Sequence, residues 1–579
     1  MRRLLSLSLS LLATAALAQT PDAGWERLAG LWGETRSFGP EVRGALTLRR
    51  GADGWHASIA GLSAEVRWER DEVSFTLPGG KGSFRGRREP GGRLLRGSWI
   101  QPVGAATGVA WATPMDLQPL GPDAWRGTVT PLEEQVTLYL DVAAENGAPT
   151  AVLRNPDGYY RNGKLAVRLE GSRLSLLSLR DGRTLMEGEY DAKADRILLP
   201  ITEVGTRIEL RRRPREEAVS YYPRTPAAPR YAYRAPLADG DGWHTGSLAG
   251  AGFDVAAVAA VVQSLADTDP RPQTAPLVHS LLVARHGKLV LEEYFFGFDE
   301  ETPHDLRSAG KNFASVLAGL AIDRGARLGP ESRVYAAFPE YRGLANPDPR
   351  KERMTLAHLM TMTSGFDCDE NRDEAPGNED RMQSQTAQPD WYRFMLDLPL
   401  HDAPGDAAAY CSGAVNLIGG VVRNATGAWL PEYFDRHFAR PLQFRTYHMN
   451  LTPTGELYLG GGMHLRPRDL LKLGQLYLAG GVWNGRRVVS KRWVDESVAL
   501  HPMNAGGKDG YNWHVNQIAA GGRTYRQYEA NGNGGQLTMV VPELDVVVGF
   551  TAGNYMNYGV WRKFREELLP RILLAIKER

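Results

Sequence analysis

The sequence predicts a multidomain protein, an all-β N-terminal region followed by an α+β region. Three observations predict it. The chain has 579 residues, more than one hydrophobic core usually serves. Up to about residue 212, apolar residues alternate with polar ones at period two. Beyond a proline-rich stretch, runs with a 3.6-residue period appear among strand-like ones.

The first residues carry an address. Arg2 and Arg3 precede an apolar run from Leu4 to Leu17, and Ala16-Leu17-Ala18 presents a small-x-small cleavage pattern before Gln19. Residues 1–18 therefore read as a cleavable signal peptide, which implies a periplasmic or secreted protein. No other apolar stretch reaches the roughly 18 residues of a membrane span.

Residues 19–212 form the β-rich region. Val73, Phe75 and Leu77 alternate with polar partners, as do Val136, Leu138 and Leu140, then Leu165, Val167 and Leu169, then Ile208 and Leu210. Gly79-Gly80 and Gly91-Gly92 punctuate the runs as turns. Many short strands must hide their edges, so a barrel or sandwich is expected, a lipocalin-like barrel among the options. Seven of the fourteen tryptophans fall here and are read as core packing rather than cavity lining. Residues 213–236 hold five prolines without hydrophobic periodicity and read as an extended linker.

Residues 237–579 form the α+β region. Leu281–Arg285 and Leu289–Glu293 flank His286-Gly287 as a hairpin. Phe313, Val316, Leu317, Leu320 and Ala321 share a helical face that Gly325 ends, and a second helix is expected near 468–479. Strand and helix signals from 537 to 577 suggest a sheet assembled from both ends of the region.

Lys and Arg total 68 against 67 Asp and Glu, a balance that speaks against a nucleic-acid footprint. No His-Glu-x-x-His or paired Cys-x-x-Cys occurs, so no metal or other cofactor is expected. Cys368 and Cys411 are the only cysteines. In an oxidising compartment they are a disulfide candidate, with two buried free thiols as the alternative.

Ser308 and Lys311 lie three apart at the start of the first helix, so their side chains share a face. A serine needs a base to become a nucleophile, and a lysine serves if its amine is neutral. Neutrality at pH 7 asks about 4 kcal/mol of the surroundings, which burial at the foot of a cleft beside another cationic or polar group would supply. By itself Ser-x-x-Lys arises by chance roughly once or twice in a chain this long.

Its context is more specific. The blocks HSLLVARHGKLVLEEYF (279–295), RSAGKNFASVLAGLAIDRG (307–325), MTLAHLMTMTSGFD (354–367), PGDAAAYCSGAVNLIGG (404–420), the long block at 460–497 and NGNGGQLTMVVPELDVVVGFTAGNY (531–555) follow in order. In these blocks the chain resembles the serine β-lactamase and penicillin-binding-protein superfamily, in its class C β-lactamase-like and esterase branch, from Asp241-Gly242-Trp243 to the C-terminus. The resemblance implies a β-lactamase/transpeptidase-like fold, an acyl-enzyme on Ser308, Lys311 as its base and Tyr410 as a proton shuttle. It further implies an oxyanion hole from the N–H groups of Ser308 and Gln536. Ser412, Asn533, Gly534 and Gly535 would contact substrate, and a Cys368–Cys411 bond would clamp the tyrosine loop.

Two positions depart from the family pattern. Tyr410-Cys411-Ser412 stands where Tyr-x-Asn is usual, and Asn533 stands where a Lys or His usually precedes x-Gly. Losing that cation weakens recognition of a carboxylate and favours a neutral small-molecule ester or amide, with peptides and lactams still open. The rival reading is a catalytically silent binding or scaffold protein of the cell envelope. Residues 371–390, polar and without periodicity, are a candidate rim for the cleft.

Overall fold

The computed structural model describes residues 24–577 apart from 157, 159–161, 202–204, 226–227 and 502–508. The expected signal peptide, 1–18, lies outside the described residues.

Eight strands close a barrel in the N-terminal region: Gly30–Gly39, Glu134–Glu145, Ala148–Arg154, Gly163–Glu170, Arg173–Ser178, Thr184–Asp191, Arg196–Ile201 and Thr206–Arg212. The first strand shuts it against the last, with Trp32 opposite Arg212. Leu165, Val167 and Leu169 are buried while their neighbours are more open, and Ile208 and Leu210 are fully buried, as period-two alternation requires. Between the first and second barrel strands, nine strands from Gly44 to Val129 build a separate sheet. The expected single β region thus holds two β bodies. Trp32, Trp99, Trp111 and Trp125 are buried as core.

The chain divides into two compact units. One holds residues up to Glu34, Tyr139–Leu153 and Gly163–Arg213; the other holds Thr35–Leu138, Arg154–Asn162 and Pro214–Arg579. Within the second unit the nine-strand sheet continues into the α+β region, since Ala110–Gly121 pairs with Tyr447–Leu451, setting Ala112 opposite Met449. Arg440 adds two bonds to Asp116, at 2.7 and 3.1 Å.

The α+β region is built on a seven-strand sheet in the order His244–Thr245, Lys288–Tyr294, Val278–Arg285, Val546–Ala552, Gln536–Val541, Arg523–Gly532, His514–Ala520. Strands from both ends of the region therefore meet at its centre. The hairpin turns on His286 and Gly287, both at positive φ, which suits the right-handed twist of paired strands. Alternate residues serve opposite faces. Leu281, Val283 and Val548 pack with Val258 of helix Val255–Ala266 and Leu568 of helix Tyr558–Leu574. Leu282, Ala284 and Val547 face the larger core, which includes Leu471 of helix Pro467–Leu478 and Phe313. The proline-rich stretch is tied to strand Lys288–Tyr294: Tyr231 donates to Glu293 at 2.6 Å and Tyr233 to the Val290 carbonyl at 2.8 Å. Among the described residues no helix is long and apolar enough to cross a membrane.

Candidate active site

The Ser308 turn is held from three sides. Leu306 donates its N–H to the Met463 carbonyl at 2.9 Å, and His304-Asp305 pairs with His464-Leu465. Asp305 then accepts the Arg307 N–H at 2.9 Å and pairs with its guanidinium at 2.7 Å. Arg307 takes φ +48°, a conformation that costs a non-glycine residue about 1 kcal/mol or more and that its neighbours hold in place. A short 3₁₀ turn, Arg307–Lys311, runs straight into helix Asn312–Asp323. That helix is anchored by Phe313, which meets Phe434 and Phe438 edge-on at 5.3 and 5.5 Å. At the end of strand Arg523–Gly532, a Cβ on Gly532 would lie 2.3 Å from the Leu306 carbonyl and 3.1 Å from the Ser308 nitrogen. Only glycine lets this strand close on the turn.

Ser308 is half-buried, and Lys311 is 4% exposed. The Lys311 Nζ donates to Ser308 Oγ at 3.1 Å and to the Gly460 carbonyl at 2.5 Å. The Tyr410 ring lies over the same nitrogen, 4.8 Å from its centroid. The structure thus brings Ser308, Lys311 and Tyr410 together. The charge on the lysine corrects the sequence-based expectation. Burial does push its pKa down, but Tyr410, Glu370 and Glu379 hold it up, and the balance lies above the ordinary lysine value. Lys311 rests as an ammonium. With Tyr410, the two carboxylates outweigh the burial and the neighbouring polar groups on which the sequence-based expectation rests. On Glu370 burial wins: it raises the carboxyl above the ordinary value, against the downward pull of Lys311. Burial also drops His304 to about 4, so Arg307 and Lys311 carry the positive charge of this stretch.

Tyr410 is tied in on its far side. Glu370 donates its N–H to the Tyr410 carbonyl at 3.0 Å, and Glu370 Oε1 accepts the Ser412 N–H at 2.5 Å. Between these two bonds, Cys368 and Cys411 form a disulfide with Cα atoms 5.6 Å apart. Ser412 opens helix Ser412–Thr426 and is 1% exposed, its hydroxyl beside the Glu370 carboxylate. Glu379, at the start of helix Glu379–Ser384 within the expected rim, accepts from the Tyr458 hydroxyl. No motif marks Glu370 or Glu379; the polar loop 371–390 includes Glu379 and begins one residue after Glu370.

Gln536 starts the strand paired with the end of Arg523–Gly532, opposite Gly532. Its side-chain amide is used internally, donating to Ala552 O at 2.7 Å and accepting from Ala552 N at 3.2 Å. Asn533, Gly534 and Gly535 form the turn between these strands. The Asn533 side chain bonds Met556, and a Cβ on Gly534 would strike the Tyr555 ring at 2.7 Å. Among the described residues no group of three His, Cys, Asp or Glu side chains is placed to hold a metal.

The Beta-lactamase family model matches residues 274–575. The chain belongs to the Beta-lactamase family. A curated relative, the 6-aminohexanoate-dimer hydrolase of Paenarthrobacter ureafaciens, is 27% identical over 231 residues, which is 38% of this chain and 57% of that protein. The match therefore spans little more than half of that relative's length. Among solved structures, the hydrolase EstCE1, described as having promiscuous acyltransferase activity, is 16% identical (55% of this chain, 98% of that one, TM-score 0.42). A family VIII carboxylesterase is also 16% identical (55% and 96%, TM-score 0.41).

Proposed function

We propose that this member of the family is an exported serine hydrolase that cleaves a neutral ester or amide through an acyl-enzyme on Ser308. The observation that carries the reading is the 3.1 Å contact between Lys311 Nζ and a half-exposed Ser308 Oγ on a strained, glycine-flanked turn. Ser308 Oγ attacks the carbonyl, and the oxygen's developing charge falls to the N–H groups of Ser308 and Gln536, each donor contributing about 3 kcal/mol. An ammonium cannot accept the serine proton. The competent form arises when Lys311 has given up its proton, with the Tyr410 ring over its nitrogen. Lys311 then takes the proton from Ser308 and, with Tyr410, returns it to the leaving group, after which water releases the acyl group by the same route. Asn533 brings no cation, which disfavours an acidic substrate. The curated relative is named for hydrolysis of a 6-aminohexanoate dimer, so amides stay within the reading beside esters.

The test is hydrolysis of p-nitrophenyl butyrate by the protein lacking residues 1–18, beside Ser308→Ala and Lys311→Ala. Each variant should lose about three orders of magnitude in kcat/KM, a loss typical of removing one member of a catalytic group. A wild type that is inert to esters and amides and fails to take a fluorophosphonate label at Ser308 would overturn the reading.

A further inference from the structure

Met556 is placed against expectation twice over. It is a large apolar side chain left 53% exposed, and its backbone sits at φ +59°, where a side chain is strained. Asn533 holds it there by both ends of its amide: Oδ1 accepts the Met556 N–H at 2.8 Å, and Nδ2 donates to Met556 Sδ at 3.0 Å.

The position of this pair gives it a purpose. Gly532, next to Asn533, abuts the Ser308 nitrogen, and Gly534 packs on the Tyr555 ring. Arg307, beside the nucleophile, stacks its guanidinium on the same ring at 5.0 Å. The segment Asn554–Tyr558 therefore flanks the nucleophile turn. Tyr558, 44% exposed at the start of the C-terminal helix, lies two residues further on and extends the apolar surface; burial, and then the nearby Tyr410 and Glu370, raise the pKa of its phenol. Thioether and phenol rings adapt to varied apolar shapes, unlike a fixed cation. The residue that stands where the family usually carries a positive charge is here committed to holding a methionine.

We propose that Met556 and Tyr558, positioned by Asn533, form an apolar subsite beside Ser308 that receives the hydrocarbon portion of an uncharged ester or amide. The proposal rests on the hydrolase reading above and names its substrate class. Asn533 acts as a positioning residue, through Met556.

The experiment measures kcat/KM for p-nitrophenyl esters from acetate to octanoate, and for acetate esters of small and large alcohols, with wild type, Met556→Gly, Tyr558→Ser and Asn533→Ala. Met556→Gly keeps the positive φ without strain, so its thermal midpoint should hold or rise while the side chain is lost. In at least one series all three variants should lose about tenfold of the preference for the largest over the smallest group. An active, fluorophosphonate-labelled wild type whose variants fall equally across both series would overturn the subsite alone. A wild type that neither turns over nor takes the label would overturn the hydrolase reading and the subsite with it.

Discussion

A buried lysine with one serine neighbour would shed its proton; Lys311 keeps its own because the tyrosine loop brings acids to it. Burial, the largest influence on its pKa, is outweighed by Tyr410, Glu370 and Glu379 together. The consequence is a pH dependence of definite sign. Since its pKa lies above the ordinary lysine value, Lys311 is protonated at neutral pH, and kcat/KM should climb as pH rises into the alkaline range. Removing one acid weakens the hold on the proton. Glu370→Gln should therefore move the rising limb to lower pH, as a pH–rate profile from pH 6 to 10 reads directly. A limb that stays put, or moves up, would show that Glu370 does not set the proton affinity of Lys311. This part of the site was not legible in the sequence, where Ser308, Lys311 and Tyr410 stand in recognisable blocks but Glu370 and Glu379 carry no local pattern.

At the scale of elements, the site is two straps closed on one turn. On one side Gly532 presses strand Arg523–Gly532 against the Ser308 backbone. On the other, residues 368–370 grip 410–412 through the Cys368–Cys411 bond and the two hydrogen bonds of Glu370. Forty-three residues separate the cysteines, so the closed loop contributes about 4 kcal/mol by loss of unfolded-state entropy. Both half-cystines are buried in the larger core, so the surrounding packing persists when the bond is cut. Reduction should then lower activity several-fold by loosening Tyr410 while far-UV circular dichroism is unchanged at 25 °C. Unchanged kinetics in reductant would assign the bond to stability alone. The helix Asn312–Asp323, the hairpin at His286-Gly287 and the helix Pro467–Leu478 all follow from local pattern, the helices from apolar residues at 3.6-residue spacing and the hairpin from its turn residues, although both helices are buried on every side. The straps do not, because each joins segments whose proximity only the fold creates.

At the scale of the whole molecule, the sheet between Gly44 and Val129 is part of the unit that carries the site. Strand Tyr447–Leu451 is buried along its full length and pairs with Ala110–Gly121. A chain begun at residue 237, where the α+β pattern starts in the sequence, would bare that strand as an apolar edge and leave Arg440 without Asp116. Such a truncation should aggregate or melt well below the protein lacking only residues 1–18, as size-exclusion chromatography and a thermal melt would report. A monomeric truncation with an unchanged melting point would show the sheet to be dispensable. The sequence by itself determined the two fold classes, the strands and helices whose burial repeats at period two or 3.6, and the nucleophile block, because these are properties of neighbours along the chain. Only the tertiary structure shows that one strand and seven later ones close a barrel, with the strands from Gly44 to Val129 inserted between them along the chain. It likewise decided that two distant glutamates keep Lys311 charged, and that Asn533 is bound to Met556. Pairing, proton affinity and side-chain partnership depend on which groups meet in space, and local pattern does not specify those meetings.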